Sequence, residues 1–134
     1  MTQDYYGTKL ITAWPKRGAS DTRNDGHEGY AVRYADGYES WSPKKSFEES
    51  YQPLNALSFG HALVALKAGR TVLRSGWNGK GMYLCLQVPD VDSKMSLPYI
   101  YMRTVQGDLV PWIASQTDML DDDWSILGEI PNDS

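Results

Sequence analysis

Two tryptophans and the polar side chains around them carry most of the chemistry this sequence offers. Trp77 lies in "LRSGWNGKGMYLCLQ", residues 73–87, with Arg74 and Lys80 on either side and Gly76, Gly79 and Gly81 interleaved. An indole face stacks on a flat base, an interaction worth about 1–3 kcal/mol. Two cations attract phosphate, and the amides of Gly79 and Gly81 can approach an anion with no Cβ in the way. Trp112 is a second indole, followed by Ser115, Gln116, Thr117 and Asp118, whose donors and acceptors suit ribose hydroxyls or a base edge beside a helix start. The same residues read equally well as structure, with Asn78-Gly79 a turn, Trp112 core and Ser115 with Asp118 a helix cap. Spacing leaves both readings open.

Patterns for catalysis are missing. His27 falls in a polar loop and His61 on a helix, where exposure is the expectation, and no cysteine lies near either in sequence. That leaves a zinc site or a Cys-His pair without support. "GWNGKG" matches neither a Walker A motif nor G-x-G-x-x-G, and no G-x-S-x-G elbow occurs. Asp121, Asp122 and Asp123 are adjacent carboxylates at a helix end that should point in different directions, which reads as a solvated surface feature.

Short strands and one main helix must position these groups. "SFGHALVALKAG" places Phe59, Ala62, Leu63 and Leu66 on one face, with Ser58 as cap and Gly69 as stop. "RTVLRS" and "MYLCLQV" read as strands joined by a turn at Asn78-Gly79, with Cys85 a small buried strand residue. "PYIYMRT" and "LVPWI" form a hairpin around "VQGD", and Pro111 confines its second strand to an edge or a bulge. "SQTDMLDDDW" is a short helix with a capping box from Ser115 to Asp118. "SILGEI" is a last strand and "PNDS" a frayed end. Earlier in the chain, "TKLITAW" reads as a strand and "PKRGASDTRNDGHEG" as a polar, mobile loop. "GYAVRYADGYESW" is a hairpin turning at Asp36-Gly37, and "SPKKSFEESY" a helix with Ser42 as N-cap and Pro43 in its first position. The expected class is α+β: a small, mostly antiparallel sheet with one main amphipathic helix and a short C-terminal helix over residues 55–134. A small β-rich module over residues 1–54 precedes it.

A chain of 134 residues with net charge -4 is not built to bind DNA or RNA independently of sequence, which takes dense Lys and Arg. The polar start "MTQDYYGTK" and the lack of a long apolar run predict a soluble intracellular protein with no membrane segment. One cysteine precludes an intramolecular disulfide. Five Trp and nine Tyr against two Phe favour flat ligands or wet interfaces as much as ordinary half-buried strands.

Taken in order, "LSFGHALVALKAGRTVLRSGWNGKGMYLCLQ", "LPYIYMRT" and "GDLVPWIASQTDMLDDDW" resemble the phage proteins known as Thoeris anti-defence proteins of the second type. Four blocks agree over residues 57 to about 127: F-x-x-A-L-x-x-L-K-x-G, G-W-N-G-K, P-Y-I-x-M-x-T and V-P-W-x-x-S-Q-x-D-x-L-x-x-D-W. The resemblance implies a non-catalytic sponge, without cofactor or metal. Such a sponge binds the glycocyclic ADP-ribose signal made by TIR-domain immune proteins and holds it intact in the host cytoplasm. It further implies a homotetramer with ligand sites between subunits, and in some members a distinct site for cyclic dinucleotides of CBASS. Carried onto this chain, Trp77 and Trp112 would stack, Asn78 would hydrogen-bond, and Gln116 with Asp118 and Ser115 would meet ribose or base. Arg74 and Lys80 would meet phosphate, and Phe59 and Thr104 complete the ligand-binding set. The link "PDVDSKM" is shorter than is common in the family, which bears on the pocket wall and the oligomer. "GYAVRYADGYESWSPKKSFEESY" resembles a module that precedes this domain in other phage proteins. Two other readings compete: a nucleotide hydrolase in which Asp118, Asp121 or Asp122 activates water, and a phage assembly protein with an aromatic interface.

Overall fold

Alternation of inward and outward side chains along short extended segments builds two antiparallel sheets, one in each of the units Met1–Tyr51 and Gln52–Ser134. The computed structural model describes residues 2–19 and 22–128. The fold is α+β, as the sequence pattern predicts.

In the first unit, β1 (Thr12–Pro15), β2 (Gly29–Arg33) and β3 (Glu39–Pro43) form a sheet in the order β1-β2-β3, and α1 (Lys44–Ser50) follows directly. Tyr30 stacks on Phe47 at 4.1 Å between ring centroids, and Phe47 on Tyr51 at 5.0 Å, so an aromatic ladder seats the helix on its sheet. Gly37 turns the β2–β3 hairpin at φ 89°. Ser42 is not the cap of α1. It is paired with Tyr30 in the β2–β3 ladder, and Pro43, extended at ψ 146°, holds the N-cap position with no side-chain cap bond. The predicted strand "TKLITAW" shrinks to β1, and the polar loop after it is described except at residues 20–21.

In the second unit, α2 (Phe59–Lys67) packs on one face of a sheet ordered β7-β6-β5-β4-β8. The strands are β4 (Val72–Arg74), β5 (Tyr83–Gln87), β6 (Tyr99–Arg103), β7 (Leu109–Pro111) and β8 (Trp124–Ile126). All pairings are antiparallel. Ser58 caps α2 by accepting from the His61 amide, and Gly69 ends it at φ 84°. Pro111 does sit on an edge strand. The short helix α3 (Gln116–Leu120) carries the chain from the β7 edge to the opposite edge, where β8 pairs with β4. The core consists of Leu57, Ala62, Ala65, Leu66, Val72, Leu84 and Trp124, which place the inner face of the sheet against the apolar face of α2. Trp124 is fully buried and exchanges backbone hydrogen bonds with Leu57 at 2.8 and 3.1 Å.

The connection from β4 to β5 is not a tight turn at Asn78-Gly79. It is the longer loop 75–82, in which the positive φ belongs to Gly81 at 77°. The extra length lets the Trp77 side chain fold back onto the core, which a two-residue turn would not allow. Cys85 is half-buried on the outer face beside Thr71 rather than fully enclosed. The strand predicted at "SILGEI" begins one residue earlier, at Trp124. Its last two residues and the end "PNDS" lie outside the described residues. No helix among the described residues is long and apolar enough to cross a membrane.

Leu84 is fully buried at the middle of the sheet, so Leu84→Ala is expected to lower unfolding free energy by about 2–5 kcal/mol. Leu97→Ala, at a position 74% exposed, should change it by no more than about 0.5 kcal/mol. Denaturant titration of the two variants checks both values.

Candidate functional site

A buried arginine organises the end of the sheet where the sequence candidates meet. Arg74 shares the inward face of β4 with Val72 and is only 8% exposed. Burying an isolated guanidinium is prohibitively costly, so the charge must be paired. Its Nε donates to Asp123 Oδ1 at 2.8 Å, Nη1 to Asp118 Oδ1 at 2.7 Å and Nη2 to Asp121 Oδ2 at 2.6 Å. Asp118 is itself buried and Asp123 largely so, whereas Asp121 is half-exposed and its bridge counts for less. The aspartates at the end of α3 are therefore not all a solvated surface feature: Asp121 and Asp123 converge on Arg74, and Asp122 remains exposed. Nor is Arg74 the exposed cation that its place beside a turn implied. Its donors are committed inside the protein.

Asp118 has two further duties. Ser115 and Asp118 form the predicted capping box, with the Ser115 amide donating to Asp118 Oδ2 at 2.9 Å and the Asp118 amide to Ser115 Oγ at 3.1 Å. Asp118 Oδ1 also accepts from Trp77 Nε1 at 3.3 Å. Burial works against the Asp118 carboxylate, but the Ser115 amide, the Arg74 guanidinium, the Ser115 hydroxyl and the Trp77 indole together hold its pKa below the ordinary value. Asp123 is also lowered, first by Arg74 and against burial, with help from the Gly76 amide. Arg74 is raised above its usual value, chiefly by Asp123 and then, against burial, by Asp118.

Three indoles and a phenyl ring sit over this cluster. Trp77 and Trp112 both stand edge-on to buried Trp124, with centroids 5.5 and 6.1 Å away and interplanar angles of 79° and 84°. Phe59, the first residue of α2, lies 5.5 Å from Trp124 and 6.2 Å from Trp112. Trp124 Nε1 donates to the Asp118 carbonyl at 2.8 Å, which fixes the central ring. Trp77, Trp112 and Phe59 are all half-buried, so part of each ring remains open to solvent.

The remaining candidates divide by exposure. Asn78 and Lys80 project from the loop 75–82, and Ser115 and Gln116 lie exposed at the start of α3. Thr104 is half-buried in the β6–β7 turn, where Oγ1 accepts from the Asp108 amide at 3.1 Å. Phe59, Trp77, Trp112, Ser115, Asp118 and Arg74 are thus joined through Trp124 and Asp118, while Thr104 belongs to the neighbouring turn. His61 is half-buried rather than exposed, with Nδ1 2.9 Å from Gln52 Oε1 and 3.0 Å from Ser58 Oγ. Sequence reasoning missed Trp124 and Asp123. For Asp123 the signal was the period-two placement of Arg74 with Val72, which requires buried acids elsewhere.

The glycines of the loop have close neighbours. A Cβ on Gly76 would lie 2.6 Å from Asp123 Oδ2, and one on Gly79 would collide with Val105 Cγ2. Access for the Asp123 carboxylate and for the β6–β7 turn explains these positions without an anion. The arrangement as a whole offers partly open aromatic faces rimmed by neutral hydrogen-bonding groups. Among the described residues, no group of three or more His, Cys, Asp or Glu is placed to hold a metal ion.

Comparison with known proteins bears on the same region. The family model described as "Thoeris anti-defense 2-like domain" matches residues 57–127, which contain every candidate residue above. A curated protein from Bacillus phage SP01 named "Thoeris anti-defense 2" is 37% identical over 84 residues, covering 53% of this chain and 94% of the relative.

Removing Arg74 would leave two buried carboxylates without their counter-ion. Arg74→Met is expected to cost about 3–5 kcal/mol of stability in thermal or chemical unfolding. Because the folded pKa values of Asp118 and Asp123 lie below the ordinary value of about 3.9, their contribution is complete above that pH and is lost as pH falls through the folded values. Wild-type stability should therefore fall steeply on the acid side, and the slope should flatten in Arg74→Met, as measured by unfolding at stepped pH.

Proposed function

Since the chain belongs to the Thoeris anti-defense 2-like family, we propose that it is a phage anti-defence protein. In this reading it binds the cyclic ADP-ribose-type signal of the Thoeris system, glycocyclic ADP-ribose, in the host cytoplasm and sequesters it without degradation. The observation that carries the reading is the pair of half-open indoles, Trp77 and Trp112, both braced edge-on against Trp124. Rings fixed in this way present stacking faces to an adenine without being ordered at the moment of binding, which limits the entropic cost. Asn78, Ser115 and Gln116 are exposed around them and supply donors and acceptors for ribose hydroxyls or a base edge.

Sequestration rather than hydrolysis is favoured by what the carboxylates already do. Of the carboxylates a hydrolase would use, Asp118 and Asp121 are hydrogen-bonded to Arg74, so activating water at either would require breaking the ion cluster, and Asp122 lies exposed outside it. Assembly into a homotetramer with ligand between subunits fits the exposed apolar residues at the β7 edge, Leu109, Val110 and, just beyond, Ile113. A separate site for cyclic dinucleotides belongs to the same reading. Residues ahead of the matched domain are assigned no part in it.

Incubation of the protein with glycocyclic ADP-ribose, followed by denaturation and mass analysis of the released nucleotide, is expected to return the ligand intact and in fixed ratio to protein. Recovery of a hydrolysed product would overturn the sponge. Trp77→Ala should weaken binding by about tenfold or more in calorimetric titration.

A further inference from the structure

We propose that Arg103, together with Lys80, supplies the positive charge that meets the phosphates of the bound nucleotide, the part that spacing along the chain gives to Arg74. The inference rests on the nucleotide-binding reading above and adds to it a residue that the matching motifs leave unassigned.

Arg103 ends β6 directly opposite Tyr83, on the sheet face away from α2, since its neighbours Met102 and Leu84 are the inward pair. Its guanidinium reaches the same loop that carries Trp77: Nη1 donates to the Gly81 carbonyl at 2.9 Å and to the Thr104 carbonyl at 3.4 Å. Gly81 makes room for it, and Gly107 lies in contact with it. A Cβ on Gly81 would lie 2.8 Å from Nη1 and one on Gly107 3.4 Å from Nη2, and both residues have positive φ. A side chain at Gly81 would press on the guanidinium, while at Gly107 the positive φ is the constraint.

The partners of the cations at this end of the sheet separate their roles. Arg74 is bound by three carboxylates, whereas none lies within 4.0 Å of Arg103 or Lys80 among the described residues. Asp108, the acid nearest in sequence, instead forms the turn through its backbone, donating to Thr104 Oγ1 and accepting from the Thr104 amide at 2.8 Å. Only Nη1 of Arg103 has a protein acceptor among the described residues, and that acceptor is neutral carbonyl oxygen. The guanidinium keeps its charge uncompensated and retains Nε and Nη2 for an anion, the fork that suits a phosphate. Lys80 is exposed next to Gly81, and the Cα atoms of Trp77 and Gly81, four residues apart, lie at most about 14 Å from each other. The loop that carries the Trp77 indole on the α2 side of the sheet also carries Lys80 and is met by Arg103 from the opposite face, so the two functions would meet where this loop rounds the end of the sheet.

The test is calorimetric titration of purified wild type, Arg103→Gln and Arg103→Lys with glycocyclic ADP-ribose at two or more salt concentrations, with melting temperatures recorded alongside. Arg103→Gln should keep the wild-type melting temperature, bind roughly ten- to a hundredfold more weakly and show a shallower salt dependence, while Arg103→Lys recovers most of the affinity. Unchanged affinity in Arg103→Gln overturns the assignment. So does an equal loss in both variants with the salt dependence unaltered, which would make Arg103 a packing residue of the loop. A wild-type protein that takes up no nucleotide overturns the preceding reading and this one with it.

Discussion

The Arg74 guanidinium joins segments that lie 44 to 49 residues apart in sequence, and the aromatic cluster is positioned by the same bonds. A buried ion cluster contributes little net stability, because desolvation offsets much of the attraction, but losing one member leaves charges that nothing else can satisfy. It therefore constrains geometry more than it stabilises. Arg74 fixes the end of β4. Asp118 fixes the first turn of α3, and Asp123, which also accepts from the Gly76 amide at 2.8 Å, fixes where the loop 75–82 leaves the sheet. The Trp77 indole then hydrogen-bonds the Asp118 oxygen that Arg74 already holds, so the ring orientation follows from the ion cluster.

Trp124 performs the matching task on the apolar side. Its ring is fully buried, its Nε1 is bound to the Asp118 carbonyl, and Trp77, Trp112 and Phe59 all lean on it. Its backbone is bonded to Leu57, just ahead of α2, so the helix and the last strand share one anchor. One consequence is that Trp77, just after β4, and Trp112, just after β7, are brought to the same ring although β4 and β7 are not neighbours in the sheet.

Features governed by local physics were legible in the sequence. The apolar spacing of α2 between Ser58 and Gly69, the reciprocal bonds of Ser115 and Asp118, and the edge position imposed by Pro111 each depend on residues within a few positions of one another. Features governed by distant partners were not. "DDD" reads as surface because its counter-ion is in a strand some 47 residues earlier, and Arg74 reads as exposed because the glycines after it suggest a tight turn. Asn78-Gly79 has the composition of such a turn. Here the pull of Trp77 toward Trp124 lengthens the connection, and the glycines are there for close approach to Asp123 and Val105. At Ser42, strand pairing with Tyr30 overrides a good capping residue. The motif resemblance identified the correct region and family; the arrangement of the charges within it came only from the fold.

A loop of small and polar residues would ordinarily be the least ordered part of such a domain, and ordering it on binding would subtract from affinity. This loop is held at both ends before any ligand arrives. At its start, the Ser75 amide donates to the Asp123 carbonyl at 3.1 Å and the Gly76 amide to the Asp123 carboxylate. At its far end, Gly79 packs on Val105, and the Gly81 carbonyl accepts from Arg103. What remains exposed between the anchors is Asn78 and Lys80, one neutral hydrogen-bonding group and one cation. Both tethers act through the backbone or through glycine positions where a side chain would intrude. The same three glycines that make the sequence look flexible are what allow the loop to be drawn tight against its neighbours.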